Sequence, residues 1–332
     1  MIEIEVKWST GISGIEDLAA QFTKAFNRKT YVDDNKLIFH SDVARGKFEV
    51  LTIEPGLSIT LIDCEFLEEI IFKRVVLPVN EFHSLHINLS LIPFLIKTHD
   101  RAAIDIGGSW KNAVLYYTSS KGVDLIATMG GQLRTVIIVY TRSWLASNYN
   151  LAHVPPEVRH ANELMNDLPI QFSLDLDLHL LLVAHEMLFS ESPEYISNLY
   201  FEGYARRIIA LVANKLSTTP QEEARPDFNK ILKILALKEK VSEHLEEPLP
   251  LLDVMAEDCS MSKSTFVRLF RALFKKNYLD FFGELRMQRA ADLLMQGMVV
   301  ADVGNAVGYK NLGHFARAFK EYYNESPKTY KK

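Results

Sequence analysis

Gly308–Tyr330 reads GYKNLGHFARAFKEYYNESPKTY. Phe315 and Phe319 stand four residues apart and so share one face of a helix, while Arg317 lies two steps from either and points away from that face. A second stretch, Ser264–Phe274, reads STFVRLFRALF and carries Phe266, Arg268 and Phe270 in the same arrangement. F-V-R-L-F-R and F-A-R-A-F-K are therefore two copies of one pattern, and internal repetition decides the architecture around it. Each copy predicts a helix-turn-helix: a first helix with a small residue facing its partner, a tight turn, and a second helix packing back through its apolar face. In the first copy Ala256 is the small residue, Asp258–Met261 (DCSM) the turn, and Phe266 and Phe270 the packing pair. In the second, Gly304 is the small residue, Gly308 supplies the positive φ of the turn, and Phe315 and Phe319 pack. Ser262 suits an N-cap, Asn324 suits a left-handed helix end, and Pro327 prevents continuation.

Working outward, residues 229–332 read as helical throughout. Helices are expected over Lys230–Leu245, Leu252–Asp258, a stretch after Ser262, Tyr278–Met295, Ala301–Ala306 and Leu312–Tyr323. Residues 1–155 read as strand-rich after a helix near Ile15–Phe26. Lys47–Phe66 is broken by Pro55–Gly56, and further β-branched runs surround Gly107–Gly108 and follow Gly130–Gly131. Between them, residues 156–216 read as helices: Pro156–Leu168, Leu176–Phe189, and a third introduced by Ser192–Pro193. On that third helix Ile196, Leu199, Tyr200, Gly203, Ile208, Leu211 and Val212 form a stripe that suits a dimer seam or intradomain core. Residues 217–228, with two prolines and mixed charges, read as a linker. The fold class is thus α+β multidomain: an N-terminal β-barrel or sandwich with helices, and an all-α C-terminal domain with two helix-turn-helix units.

The charge is distributed unevenly. The chain of 332 residues has a formal net charge of −5, yet residues 263–332 hold 13 Lys+Arg against 6 Asp+Glu. A basic region on an otherwise acidic protein points to a polyanionic partner. Arg268 and Arg317, at equivalent places of a repeat inside that region, are suited to fork onto guanine or phosphate. The two cysteines, Cys64 and Cys259, form no ligand pair, and the N-terminus lacks a signal-type apolar run. No stretch approaches about 20 uninterrupted apolar residues. A cytoplasmic protein with no membrane partner is expected.

The segment from Arg289 onward, with Gly308–Tyr309, the F-x-R-x-F-K helix, Ser326–Pro327 and Tyr330–Lys331, resembles the C-terminal signature of AraC/XylS-type transcription regulators. MSKSTFVRLFRALF (Met261–Phe274) resembles the first helix-turn-helix of the same family. The resemblance covers about residues 229–332. It implies a seven-helix domain that binds double-stranded DNA through two recognition helices. Carried over by position, the base-facing residues are Ser264, Val267, Arg268, Gly313, His314 and Arg317. Val267 has no hydrogen-bonding group and Gly313 no side chain, which leaves readout at those points to a methyl contact or nothing. Lys263, Arg271, Lys275, Lys276, Lys310 and Lys320 are the phosphate-contact candidates. The resemblance also implies a cupin-like N-terminal domain for a small-molecule effector, a homodimer, and RNA polymerase as a further partner. Aromatic residues suited to line the effector pocket are Phe48, Phe66, Trp110, Tyr116 and Tyr117. Strand alternation prevents Tyr116 and Tyr117 from both facing inward.

No cofactor, metal site or catalytic residue is expected. A catalytic cupin needs a metal cluster, and His83 and His86 are separated by two residues without the accompanying Glu, while His40, His99 and His153 are scattered. The glycine pairs lack the context of phosphate loops. The alternative from another class is a cupin-like enzyme or small-molecule binding protein with an attached helical module. Neither the charge split nor the repeated arginine helix would serve such a protein.

Overall fold

In the computed structural model, residues 2–7, 13–26, 30–90, 93–98, 101–190, 196–217 and 227–330 are described. The chain divides into two units, Met1–Ala224 and Arg225–Lys332. The dividing point falls inside the stretch expected as a linker; residues 218–226 of it lie outside the described residues, as do Ser192–Pro193, His99 and Lys331. No helix among the described residues is long and apolar enough to cross a membrane.

In the first unit the turn dipeptide Pro55–Gly56 joins two long antiparallel strands, β4 (Ala44–Glu54) and β5 (Leu57–Phe66). Gly56 adopts φ +85°, and a Cβ there would meet Thr141 Oγ1 at 2.5 Å, so the turn requires glycine. The preceding strands are β1 (Ile2–Val6), β2 (Tyr31–Asp33) and β3 (Lys36–His40). The following ones are β6 (Ile70–Arg74), β7 (Phe82–Asn88), β8 (Phe94–Thr98), β9 (Arg101–Ile106), β10 (Val114–Thr118), β11 (Val123–Ala127), β12 (Gly131–Thr141) and β13 (Gln171–Leu174). One sheet has eight strands in the order β13-β10-β7-β12-β5-β4-β3-β2, and the other five in the order β1-β6-β11-β8-β9. They share an interior: Phe48, Ile62 and Ile137 of the large sheet belong to one buried cluster with Ile4, Ile70 and Phe72 of the small one.

The helix expected near Ile15–Phe26 is α1 (Ser13–Phe26), which sends Ile15, Ala19, Phe22 and Phe26 into that cluster at helical spacing. Its Phe22 ring lies 5.1 Å from Phe39, 5.4 Å from Phe48 and 6.2 Å from Phe72. β10 is buried along its whole length, as a strand covered on both faces must be. The second face of the large sheet is covered by α2 (Arg142–Asn148) and α4 (Leu178–Leu188), and the short α3 (Ala161–Met165) precedes β13.

Two expectations for this helical region change. The helix expected over Pro156–Leu168 shrinks to α3, because His160 and Asp167 adopt left-handed backbone on either side of it. The apolar stripe of α5 (Ser197–Ser217) resolves into two faces. Phe201, Ala205, Ile208, Ile209, Val212 and Leu216 are buried, with α4 and β4 as neighbouring elements, whereas Leu199, Tyr200 and Gly203 are exposed. Arg206 fastens α5 to the sheet: it donates to Glu54 Oε1 at 2.8 Å and Asn148 Oδ1 at 2.6 Å, and lies over the Trp144 ring.

The second unit has seven helices among its described residues: α6 (Phe228–Glu243), α7 (Leu252–Asp258), α8 (Lys263–Phe274), α9 (Tyr278–Met295), α10 (Val300–Ala306), α11 (Leu312–Tyr323) and α12 (Pro327–Tyr330). The bounds of α7, α9 and α11 coincide with the sequence expectation. α9 lies between two cores. Its Phe281 and Phe282 meet Phe270 of α8, and its Met287, Ala290, Ala291 and Leu294 pack with Phe315 and Phe319 of α11.

Candidate nucleic-acid interface and interior cavity

The two helix pairs match residue for residue. α7 and α10 are each 7 residues long, with Ala256 and Gly304 both fifth and both buried. α8 and α11 are each 12 residues long, with phenylalanines fourth and eighth and an arginine sixth. The turns repeat as well. Met261 N–H donates to Ala256 O at 3.0 Å and Tyr309 N–H to Gly304 O at 2.9 Å. Ser260 and Gly308 supply positive φ, 56° and 80°. Ser260 was not legible as the left-handed residue of the first turn, since only its alignment with Gly308 reveals it.

Each second helix is capped at both ends. Ser262 Oγ accepts from Thr265 N–H and Asn311 Oδ1 from His314 N–H, while Lys275 and Asn324 end the helices in left-handed backbone. Phe266, Phe270, Phe315 and Phe319 are all fully buried or nearly so. A Cβ at Gly304 would sit 3.4 Å from the Phe315 ring, an ordinary van der Waals contact, so a small residue suffices there, as Ala256 shows at the equivalent place of the first copy.

Among known families, residues 255–332 match the model described as a helix-turn-helix domain. The C-terminal unit carries an AraC-type helix-turn-helix domain. An uncharacterised HTH-type transcriptional regulator of Haemophilus influenzae is 35% identical over 82 residues, 24% of this chain and 28% of that protein. The HTH-type transcriptional regulator AlkR of Acinetobacter baylyi is 31% identical over 81 residues, 24% of this chain and 26% of AlkR. This chain thus spans about a quarter of the length of these curated relatives. Among solved structures, a Chromobacterium violaceum transcriptional regulator with an AraC-type DNA-binding domain is 26% identical with a TM-score of 0.27, covering 31% of this chain and 88% of that one.

Within the AraC-type domain, Ser264, Val267, Arg268, Gly313, His314 and Arg317 are all exposed. Lys263, Ser264, Val267, Arg268 and Arg271 line an open groove along the outer face of α8. Arg268, Arg271, Arg317, Lys310 and Lys320 have no ion-pair partner among the described residues. The other three cations are engaged: Lys263 with Asp253 at 3.1 Å, Lys276 with Glu284, and Lys275 with the carbonyl of Ala272 at 2.9 Å. Arg286, which the sequence reading passed over, joins the two halves. It donates to Glu247 O at 2.6 Å and lies over the Tyr309 ring at 6.0 Å.

The strand-rich unit encloses a cavity of about 120 Å³ between its sheets, lined by apolar residues that include Phe48, Ile62, Phe72 and Ile137. Of the aromatic residues expected around a pocket, Phe48 lines this cavity. Phe66 packs in the same core cluster without lining it, and Trp110 is buried elsewhere, its carbonyl accepting from Leu176 N–H at 2.7 Å. Tyr116 and Tyr117 are both buried but face opposite ways. Tyr116 lines a second space of about 300 Å³ with Tyr140, Phe172 and Leu216, whereas the Tyr117 hydroxyl reaches His86 on the interior side.

His83 and His86 likewise diverge. His83 Nδ1 pairs with the Tyr116 hydroxyl at 2.6 Å, and His86 Nε2 lies 2.9 Å from Ser84 Oγ and 3.0 Å from the Tyr117 hydroxyl. Burial, and secondly the charge of Arg142, holds His83 down to about 4; burial and then Arg74 hold His86 well below its ordinary value. Both imidazoles are neutral at physiological pH.

Proposed function

We propose that the chain is a sequence-specific DNA-binding transcription regulator of AraC/XylS type, controlled by a small molecule taken up by its strand-rich unit. The observation that carries the DNA-binding reading is the duplicated helix pair with an exposed arginine, without an ion-pair partner among the described residues, sixth in each second helix. A core residue at that position would be buried; a merely solubilising one would not recur at the same index of both copies. α8 and α11 are the recognition helices, with Ser264, Val267, Arg268, Gly313, His314 and Arg317 facing bases. Arg271, Lys310 and Lys320 are the stronger phosphate contacts, and Lys263, Lys275 and Lys276 must first release their internal partners.

Effector control is supported by the interior cavity and by α5, which Arg206 ties to β4 and α2 and whose last residues lead along the chain toward the DNA-binding domain. The exposed Leu199, Tyr200 and Gly203 of α5 are the seam of a homodimer, which would match a two-part operator. RNA polymerase is the further partner of a regulator that activates. Mapping the protein's binding across its host genome tests the reading. Discrete sites beside a small set of genes are expected; occupancy that merely follows DNA content would refute it.

A further inference from the structure

We propose that Arg286 is a positioning residue: it straps the two helix pairs together beside a weak point in α9 and so fixes the separation at which α8 and α11 meet DNA. The inference rests on the DNA-binding reading above and names the residue that sets its geometry. α9 serves both helix pairs, but its packing is split. Phe281 and Phe282 meet Phe270 of α8, while Met287, Ala290, Ala291 and Leu294 join the core around Phe315 and Phe319. Residues 283–286 lie between the two sets, and none of them is buried. Gly283 has no steric or conformational need to be glycine. A Cβ there would meet nothing within 4 Å, and its φ is not positive. Glycine in a helix interior weakens the helix, so α9 is softest in the stretch that joins the two pairs.

Arg286 spans that stretch through space. It donates to Glu247 O at 2.6 Å, in the segment between α6 and α7. Its guanidinium also lies 6.0 Å from the centre of the Tyr309 ring, in the turn between α10 and α11. That turn comes close to the same segment: a Cβ at Gly308 would lie 2.6 Å from Leu245 O and 2.8 Å from the Arg286 guanidinium. Three pieces of chain therefore meet at one side chain. Arginine suits the place, because its planar cation offers N–H groups at the edge and a face to an aromatic ring at the same time. A phosphate-contacting arginine would turn outward, as Arg268 and Arg317 do. Arg286 is half-buried, and its Nε is buried without a hydrogen-bond partner, so this side chain is turned inward.

Two recognition helices held rigidly apart read two DNA elements at one spacing. Each base pair added between the elements moves the second by about 3.4 Å and turns it by about 35°. A strapped pair cannot follow that change, whereas a pair hinged at Gly283 can.

Fluorescence anisotropy with the full-length protein tests the strap. The probes are the duplex recovered by in vitro selection and the same duplex with one base pair added or removed between its elements. The wild type is expected to bind the altered spacings at least about tenfold more weakly. Arg286→Met should lower that penalty several-fold, while base changes inside either element remain as costly as in the wild type. Gly283→Ala stiffens α9 without a clash and should restore the penalty in the Arg286→Met background. General destabilisation by the methionine would not give that pattern. Circular dichroism checks the fold, and Arg286→Lys, which keeps the charge but not the fork, takes the place of Arg286→Met if the latter does not fold. A penalty unchanged by the Arg286 variant, no rescue by Gly283→Ala, or a wild type indifferent to spacing would overturn the strap and leave the DNA-binding reading standing. A selection that recovers no duplex would overturn that reading, and the strap with it.

Discussion

Arg317 and Arg268 are the residues proposed to carry specificity, because both project into solvent from the same position of a repeated helix. Both are exposed, and neither has an ion-pair partner among the described residues. Arg317→Ala should lose about 1–3 kcal/mol of discrimination between the operator and random duplex while melting like the wild type. Fluorescence anisotropy at several salt concentrations reads this directly. Lys310→Ala, by contrast, should weaken all duplexes alike and lower the salt slope by about one ion. The buried imidazoles make a separate prediction in the other unit. His83 titrates near 4 in the folded protein, against an ordinary value of 6.5. The unfolded chain therefore takes up a proton at 6.5 that the folded one refuses until about 4. Stability is full above pH 6.5 and falls as pH drops toward 4, with His86 acting in the same direction. All three tryptophans precede residue 225, so tryptophan fluorescence follows this unit alone. In urea titrations His83→Gln should reduce the loss between pH 7.5 and pH 5 by about 2 kcal/mol. An equal loss in both proteins would assign the acid sensitivity elsewhere.

At the scale of elements, what is local in cause proved legible in the sequence. Cap residues, a four-residue phenylalanine spacing and a glycine before an aromatic residue act within one turn of chain, so the helices of the C-terminal unit up to α11 and the places of both turns could be read, though not α12 or the left-handed Ser260. Gly308 is the sharpest case. It adopts φ +80°, and a Cβ there would lie 2.6 Å from Leu245 O and 2.8 Å from Arg286. Gly297 has φ +89° with nothing within 4 Å of its Cβ position. Gly308→Ala should therefore cost about 2–4 kcal/mol and Gly297→Ala only about 1, measured by thermal denaturation followed by circular dichroism. Similar costs would mean that the turn tolerates a side chain. The faces of α5 were not legible, because both carry apolar residues and only the sheet decides which is covered. Leu199, 69% exposed, lies on the uncovered face. Leu199→Arg should shift the full-length protein from dimer to monomer in sedimentation at about ten micromolar, leaving its melting unchanged. A wild-type monomer there would remove the seam.

For the whole molecule, the charge split and the strand-to-helix change of pattern were visible at once, and the two units follow them. The interior cavity was not visible. Phe48 could be picked as an aromatic in a predicted strand, but Arg74, His86 and Thr135 come from three strands whose register is set by pairing far along the chain. Polar residues so placed look, in sequence, like the solvent side of a strand. The duplicated helix pair remains the central claim, since the regulator reading depends on a chain that recognises DNA. In vitro selection from a random duplex library with the full-length protein tests it most directly. The expected result is enrichment of two short elements about 10–10.5 base pairs apart, lost in the Arg268→Ala, Arg317→Ala double variant. No enrichment over the starting library, or the same motif recovered by the double variant, would contradict it.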